Sequence, residues 1–194
     1  MIAKKPIAAA ALLGALLATP FEGAAQMSAV SQELISEGDF PVSFEAPSRE
    51  GIKKTFIKIV LKNGNTWWIG VWDTNQEGYR QAMIQVYLAP EDAPYTQRVP
   101  LEQDVRSGDT RLKGKKFRFG APSATQTSSG VMHYVTFKYD DAACMAFQQH
   151  PAPPKDGSNL GLVYVSGYYC AARGKPLTED ISRRLISSLR YAPQ

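Results

Sequence analysis

Thr55 to Lys62 is a run rich in Ile, Val and Phe, Asn65 to Asp73 is a second apolar run, and Asn63-Gly64 lies between them. An Asn-Gly pair in that position predicts a β-hairpin with a two-residue type I′ turn, because both central residues of that turn need positive φ. Such a turn fixes the register: Lys62 faces Asn65, Val60 faces Trp67 and Ile59 faces Trp68. One face then carries Ile57, Ile59, Leu61, Trp68 and Trp72. The other carries Phe56, Val60, Trp67, Ile69 and Val71, with Lys58 and Lys62 among them. A half-solvated sheet would alternate polar and apolar positions, so two apolar faces require a cover on the second.

Tyr79 to Leu88 sets Ala82, Ile84, Val86 and Leu88 against Gln81, Met83, Gln85 and Tyr87, the alternation of a half-buried strand. Residues 91–112 are polar and weakly periodic, with a short helix expected around Leu101 to Arg106. Lys115 to Phe119 reads as a short strand and Ala121 to Gly130 as a Ser/Thr loop. Val131 to Tyr139 is a strand with Val131, His133, Val135 and Phe137 on one face. Ala143 to Gln149 and Leu160 to Ala171 are two more strands, joined by a Pro-rich loop from His150 to Asn159. Upstream, Ser31 to Glu37 reads as a short helix turn ended by Gly38, and Phe40 to Gly51 as irregular chain or an edge strand. At the carboxy end, Thr178 is a suitable N-cap, and Glu179 and Asp180 occupy a first turn where the helix dipole favours acids. Ile181, Leu185, Ile186 and Leu189 form an apolar stripe, with Arg183, Arg184 and Arg190 facing outward. A helix with one apolar stripe needs a sheet to bury it. The expected fold is α+β: a twisted, mainly antiparallel sheet with the carboxy-terminal helix packed on one face.

The amino end changes the picture of compartment. Lys4 and Lys5 precede an apolar run from Ile7 to Ala18, and small residues follow at Gly23, Ala24 and Ala25. This is the layout of a secretory signal peptide, 1–25, with the mature domain, 26–194, starting near Gln26. The run is too short to span a bilayer of roughly 30 Å as a helix. Cleavage removes two lysines and one glutamate, taking the formal net charge from +4 to +3. That charge is too small to argue for nucleic acid, and no transmembrane span is expected in the mature chain. The localisation expected is periplasmic or secreted.

In that setting the two cysteines, Cys144 and Cys170, are expected to pair. If their strands run antiparallel with the cysteines opposed, Phe147 faces Gly167 and Gln149 faces Val165. A crosslink fits best where the opposed residues do not exchange backbone hydrogen bonds, because there the Cα atoms lie about 4.5 Å apart.

No catalytic constellation is visible. His133 and His150 are the only histidines; the first reads as a sheet residue and the second as solvated. Metal-ligand spacing, a Gly-x-Ser-x-Gly elbow and a phosphate-binding glycine loop are all lacking, so no cofactor or metal is expected. Asp140-Asp141 reads as a turn. Two surfaces stand out as binding candidates. Trp67, with Lys58 and Lys62 on its expected face, suits an aromatic platform for a glycan or a peptide. Lys116 and Arg118, alternating with Phe117 and Phe119, suit an anionic envelope polymer or lipid headgroups.

The segment Leu160-Gly-Leu-Val-Tyr-Val-Ser-Gly-Tyr-Tyr-Cys170, followed by Pro176-Leu177-Thr178 and a final helix, with Cys144 and Phe147 upstream, resembles the carboxy end of small uncharacterised exported proteins of proteobacteria. The resemblance covers roughly the last 50 residues. It implies export and the disulfide, and no activity. The expected function is therefore a non-catalytic periplasmic or secreted domain that binds or supports another envelope component, whether a protein, a glycan or an anionic polymer. The alternative is an exported hydrolase assembled from distant positions. A deep pocket gathering His133 with a carboxylate and a hydroxyl would favour the enzyme; a shallow aromatic or basic surface would favour binding.

Overall fold

The structure, a computed structural model, describes residues 29–45, 51–74, 76, 79–90, 99–151 and 163–192. The expected signal segment 1–25 and most of the Pro-rich loop after His150 lie outside the described residues. Eleven strands and two α-helices follow in chain order: β1 (Ala29–Ile35), β2 (Val42–Ser43), β3 (Lys53–Leu61), β4 (Thr66–Asp73), β5 (Arg80–Leu88), α1 (Leu101–Gly108), β6 (Phe117–Phe119), β7 (Ser123–Thr127), β8 (Gly130–Tyr139), β9 (Ala142–Gln149), β10 (Val163–Cys170), α2 (Glu179–Ser188) and β11 (Arg190–Tyr191). Nine of the strands form one antiparallel sheet in the order β1-β3-β4-β5-β10-β9-β8-β6, with β7 also paired to β8, while β2 and β11 form a small second sheet. The large sheet is two meanders, β3-β4-β5 and β8-β9-β10, joined edge to edge where β10 pairs with β5.

The first hairpin forms, but in a different register from the one its turn suggests. The Leu61 N–H donates to the Asn65 carbonyl at 2.9 Å and the Gly64 N–H to the Leu61 carbonyl at 3.0 Å, so the loop is Lys62-Asn63-Gly64. Only Gly64 is left-handed, with φ of 81°. This is a three-residue loop ending in a glycine bulge, and the Asn63 side chain accepts from the Asn65 N–H at 3.2 Å. The pairing therefore slips by one residue, to Lys58↔Trp68, Ile59↔Trp67 and Val60↔Thr66. A one-residue slip moves a strand's side chains to the other face. Trp67, Ile69 and Val71 thus join Ile57, Ile59 and Leu61, and Trp68 and Trp72 join Phe56 and Lys58. Trp67 and Lys58, expected on one face, stand on opposite faces.

Two further segments differ from the sequence reading. Ser31–Ile35 continues β1, paired with β3, and only Glu37–Asp39 turns as a 3-10 helix. Ala121–Gly130 contains β7, whose Ser/Thr-rich side chains suit a sheet edge.

Each face of the sheet carries its own buried cluster. The first holds Ile57, Ile59, Met83, Val135, Phe137 and Tyr168, with Leu101 and Val105 of α1 and Leu112. The second holds Phe56, Trp68, Trp72, Ile84, Val86, Met145 and Tyr169, with Phe40, Val42, Leu185 and Leu189. The alternation read along β5 is correct, yet its supposedly wet face is also buried: Gln81 is 1% exposed and Met83 4%. The Thr178 side chain caps α2 by accepting the Ile181 N–H at 3.3 Å. No helix among the described residues is long and apolar enough to cross a membrane.

Cys144 and Cys170 form a disulfide across β9 and β10, with Phe147 opposite Gly167 and Gln149 opposite Val165. The Ala171 N–H donates to the Ala143 carbonyl at 2.9 Å, so the cysteines occupy a pair that does not exchange backbone bonds. Their Cα atoms are 4.0 Å apart. Gly167 leaves room for the Phe147 ring, but its tighter neighbour lies on the other side. A Cβ there would overlap the Met83 carbonyl oxygen of β5 and come within 3.0 Å of the Ile84 Cα.

Candidate functional site

The basic stretch lies at one edge of the sheet. In β6, Arg118 is exposed between the half-buried Phe117 and Phe119, as the alternation required. Pairing with β8 sets Arg118 directly across from Lys138. These two cations, with Phe119, Thr136, Pro176 and Leu177, line a groove of about 380 Å³. No Asp or Glu is among its described lining residues, and neither cation has an ion-pair partner among the described residues. Two like charges facing each other across a ladder repel, so the groove holds a positive field with apolar walls. Its volume is in the range of small-ligand sites. The phenylalanines of β6 point the other way, where the Arg106 guanidinium of α1 sits 5.1 Å from the Phe117 ring centre and 5.2 Å from that of Phe119.

The other sequence candidates are not brought to this groove. Lys116 is exposed just before β6. Lys58 lies toward the far edge of the sheet, beside Trp68, with its ammonium 3.7 Å from Glu33. Lys62 is exposed in the hairpin loop. Trp67 is partly buried against the first cluster. The aromatic platform is therefore divided between two faces, whereas the basic reading gains Lys138, Thr136 and Leu177. Alternation along β8 was the signal for Thr136 and Lys138, which interleave with the apolar Val135, Phe137 and Tyr139. Their neighbourhood with Arg118 depended on a strand pairing that spacing did not give.

A second hollow, of about 330 Å³, is lined by His133, Glu102, Ser123 and Gln148 with Pro100, Leu101, Pro122 and Val135. It collects the residue types an esterase or protease would use, yet Glu102 and Ser123 are both exposed to solvent. His150, expected in solvent, is half-buried, its Nδ1 3.3 Å from the Val163 carbonyl. Asp140 and Asp141 do form the turn between β8 and β9, with Asp140 at φ 49°. Their carboxylates meet Lys115 at 2.7 Å and Arg173 at 3.5 Å. Among the described residues no group of three or more His, Cys, Asp and Glu side chains is placed to hold a metal ion.

The strongest electrostatics are internal. Arg80, 5% exposed, binds Asp73 at 2.8 Å and Asp109 at 2.8 Å, and Asp109 is itself 3% exposed. The Tyr168 hydroxyl donates to Asp109, and the Arg111 N–H donates to the other Asp109 oxygen at 2.9 Å. Burial opposes the Arg80 charge, but the Asp109 carboxylate and the Asp73 bond outweigh it and hold the guanidinium above its usual value. Burial pushes the Tyr168 hydroxyl well up, and the adjacent Asp109 charge adds to it.

Asp104 of α1 faces Ser166 and Gln85 across a cavity of about 10 Å³, roughly one water. Burial pushes its carboxyl above the ordinary 3.8, and a hydrogen bond from Ser166 offsets part of the rise. A carboxyl raised in the folded state holds its proton more tightly there than in the unfolded chain. Its contribution to stability is therefore full below the ordinary carboxylate range and falls as pH rises through it. Asp104→Asn is thus expected to gain stability relative to the parent between about pH 3 and about pH 7. Urea midpoints at the two ends of that interval check it, and a constant difference between the two chains would contradict it.

Comparison with known proteins returns no matching family model, no matching curated protein and no matching solved structure.

Proposed function

We propose that this chain is an exported, disulfide-braced binding domain that engages an anionic component of the cell envelope, without catalysing a reaction on it. The observation that carries the reading is the groove where Arg118 and Lys138 face each other with no acid among its described lining residues. A phosphate or carboxylate between the two cations would relieve their repulsion, and Pro176 and Leu177 would cover an apolar portion of the same ligand. The charged leader pattern at residues 1–25 and the Cys144–Cys170 crosslink support export. So does the resemblance of the last 50 or so residues to small exported proteobacterial proteins. The apolar stripe of α2 supports a helix lying flat over the second face, which would hold Pro176 and Leu177 at the rim of the groove.

Flotation with vesicles of phosphatidylglycerol, against vesicles of phosphatidylcholine, tests the reading. A basic residue near an anionic surface is worth about 1 kcal/mol. Replacing both Arg118 and Lys138 by alanine is therefore expected to weaken capture by about thirtyfold, with the unfolding midpoint unchanged. Equal capture by both vesicle types, or undiminished capture of the double variant, would sink it.

A hydrolase remains the second reading because His133, Glu102 and Ser123 line one hollow. It requires Ser123 to be acylated by an activated ester. Fluorophosphonate labelling of the parent that is lost in Ser123→Ala would favour it; no labelling would remove it.

A further inference from the structure

We propose that β1 pairs with β1 of a second copy of this chain, antiparallel and centred on Gln32, so that the two large sheets continue as one. β1 ends the strand order and pairs only with β3, so among the described residues its outer edge has no partner. A free edge is a template for another strand. Among the described residues the exposed large hydrophobics are Val30 at 66%, Leu34 at 65% and Val131 at 47%. Two of the three lie on β1, each two positions from Gln32. Gln32 and Leu34 stand opposite Ile59 and Ile57 on β3, and Val30 sits at the irregular step between the pairs Ala29↔Leu61 and Ser31↔Val60.

In an antiparallel pair centred on Gln32, Val30 of each copy faces Leu34 of the other, and both exposed side chains are covered at once. Ser31 faces Glu33, so a hydroxyl can donate to a carboxylate whose other neighbour is Lys58, 3.7 Å away. Centring on Glu33 would set two carboxylates face to face. Centring on Ser31 or Leu34 would leave Val30 opposite a residue other than Leu34. The opposite edge of the sheet offers no equivalent. There β7 presents Ser123, Ala124, Thr125, Gln126 and Thr127, and β6 carries the exposed Arg118, which discourages a head-to-tail chain of molecules. The irregularity in the β1–β3 ladder lies between Ala29 and Ser31 and leaves Ser31–Ile35 continuous. One short ladder gives a small contact, so the dimer is reversible and depends on concentration.

Sedimentation equilibrium of the mature protein over a wide concentration range is the first test, and a monomer–dimer equilibrium is the expected result. Gln32→Lys places two ammonium groups opposite each other on the two-fold axis and is expected to weaken the dimer at least tenfold without moving the unfolding midpoint. Gln32→Cys is expected to form a covalent dimer on mild oxidation, whereas Glu33→Cys, which would face Ser31, is not. A parent that stays monomeric throughout, a dimer indifferent to Gln32→Lys, or crosslinking through residue 33 in place of residue 32 would overturn the proposal.

Discussion

Replacing Asp109 by alanine is expected to lower the stability of this fold by about 3–5 kcal/mol, as breaking a buried ion pair does. Asp109 receives three donors: the Arg80 guanidinium at 2.8 Å, the Tyr168 hydroxyl and the Arg111 N–H at 2.9 Å. Removing the carboxylate leaves the Tyr168 hydroxyl buried without its acceptor and deprives Arg80 of one of two counter-charges. The same side chain closes the 3-10 turn Thr110–Leu112, whose Leu112 is 1% exposed in the first cluster. Asp73 still holds Arg80 at 2.8 Å, which keeps the loss from growing further. The pair Arg80→Met with Asp109→Leu removes both charges together and is expected to cost less than Asp109→Ala alone, because no ion is stranded. Urea unfolding of the three chains measures this. A loss under about 1 kcal/mol for Asp109→Ala would put the Arg80 charge in contact with solvent.

The second large effect concerns the crosslink. Cys144→Ala with Cys170→Ala is expected to lower stability by about 2–4 kcal/mol, in the chain-entropy view by restoring freedom to the unfolded chain. For a domain of this size that is roughly 5–15 °C in melting temperature. The cysteines are 1% and 0% exposed, so a reductant reaches them only when β9 and β10 open. Reductant should therefore lower the melting temperature of the parent and leave the double variant unmoved. A double variant as stable as the parent under oxidising conditions would contradict the assignment.

How far the chain could be read depended on what pinned each register. The β9–β10 pairing was legible because a covalent tie admits few alignments, and a glycine opposite Phe147 agreed with it. The first hairpin was legible as a hairpin only. Asn-Gly serves a two-residue turn and also a three-residue loop in which glycine alone is left-handed, and the two differ by one residue. Alternation usually decides such cases, but both faces of β3 and β4 are apolar, so nothing in the pattern opposed the slip. The consequence reached the candidate site, separating Trp67 from Lys58. β1 and β7 were missed because Ser31, Gln32 and Glu33, and likewise Ser123 to Thr127, lie at sheet edges, where polar side chains meet water on at least one side. α1 covers the face of β5 that carries Gln81 and Gln85, which read as solvated. The groove was half legible: Arg118 was marked by its alternation with Phe117 and Phe119, while Lys138 needed the β6–β8 register and Leu177 the fold as a whole.

The central claim is that ligand binds between Arg118 and Lys138. Amide chemical-shift mapping of the mature protein, titrated with short-chain phosphatidylglycerol, tests it most directly. The account predicts saturable shifts concentrated at Arg118, Gly120, Thr136, Lys138 and Leu177, weakened by added salt as screening shortens to about 3 Å at 1 M, and absent with short-chain phosphatidylcholine. Shifts centred on His133 and Gln148, or spread over the sheet without saturating, would contradict it.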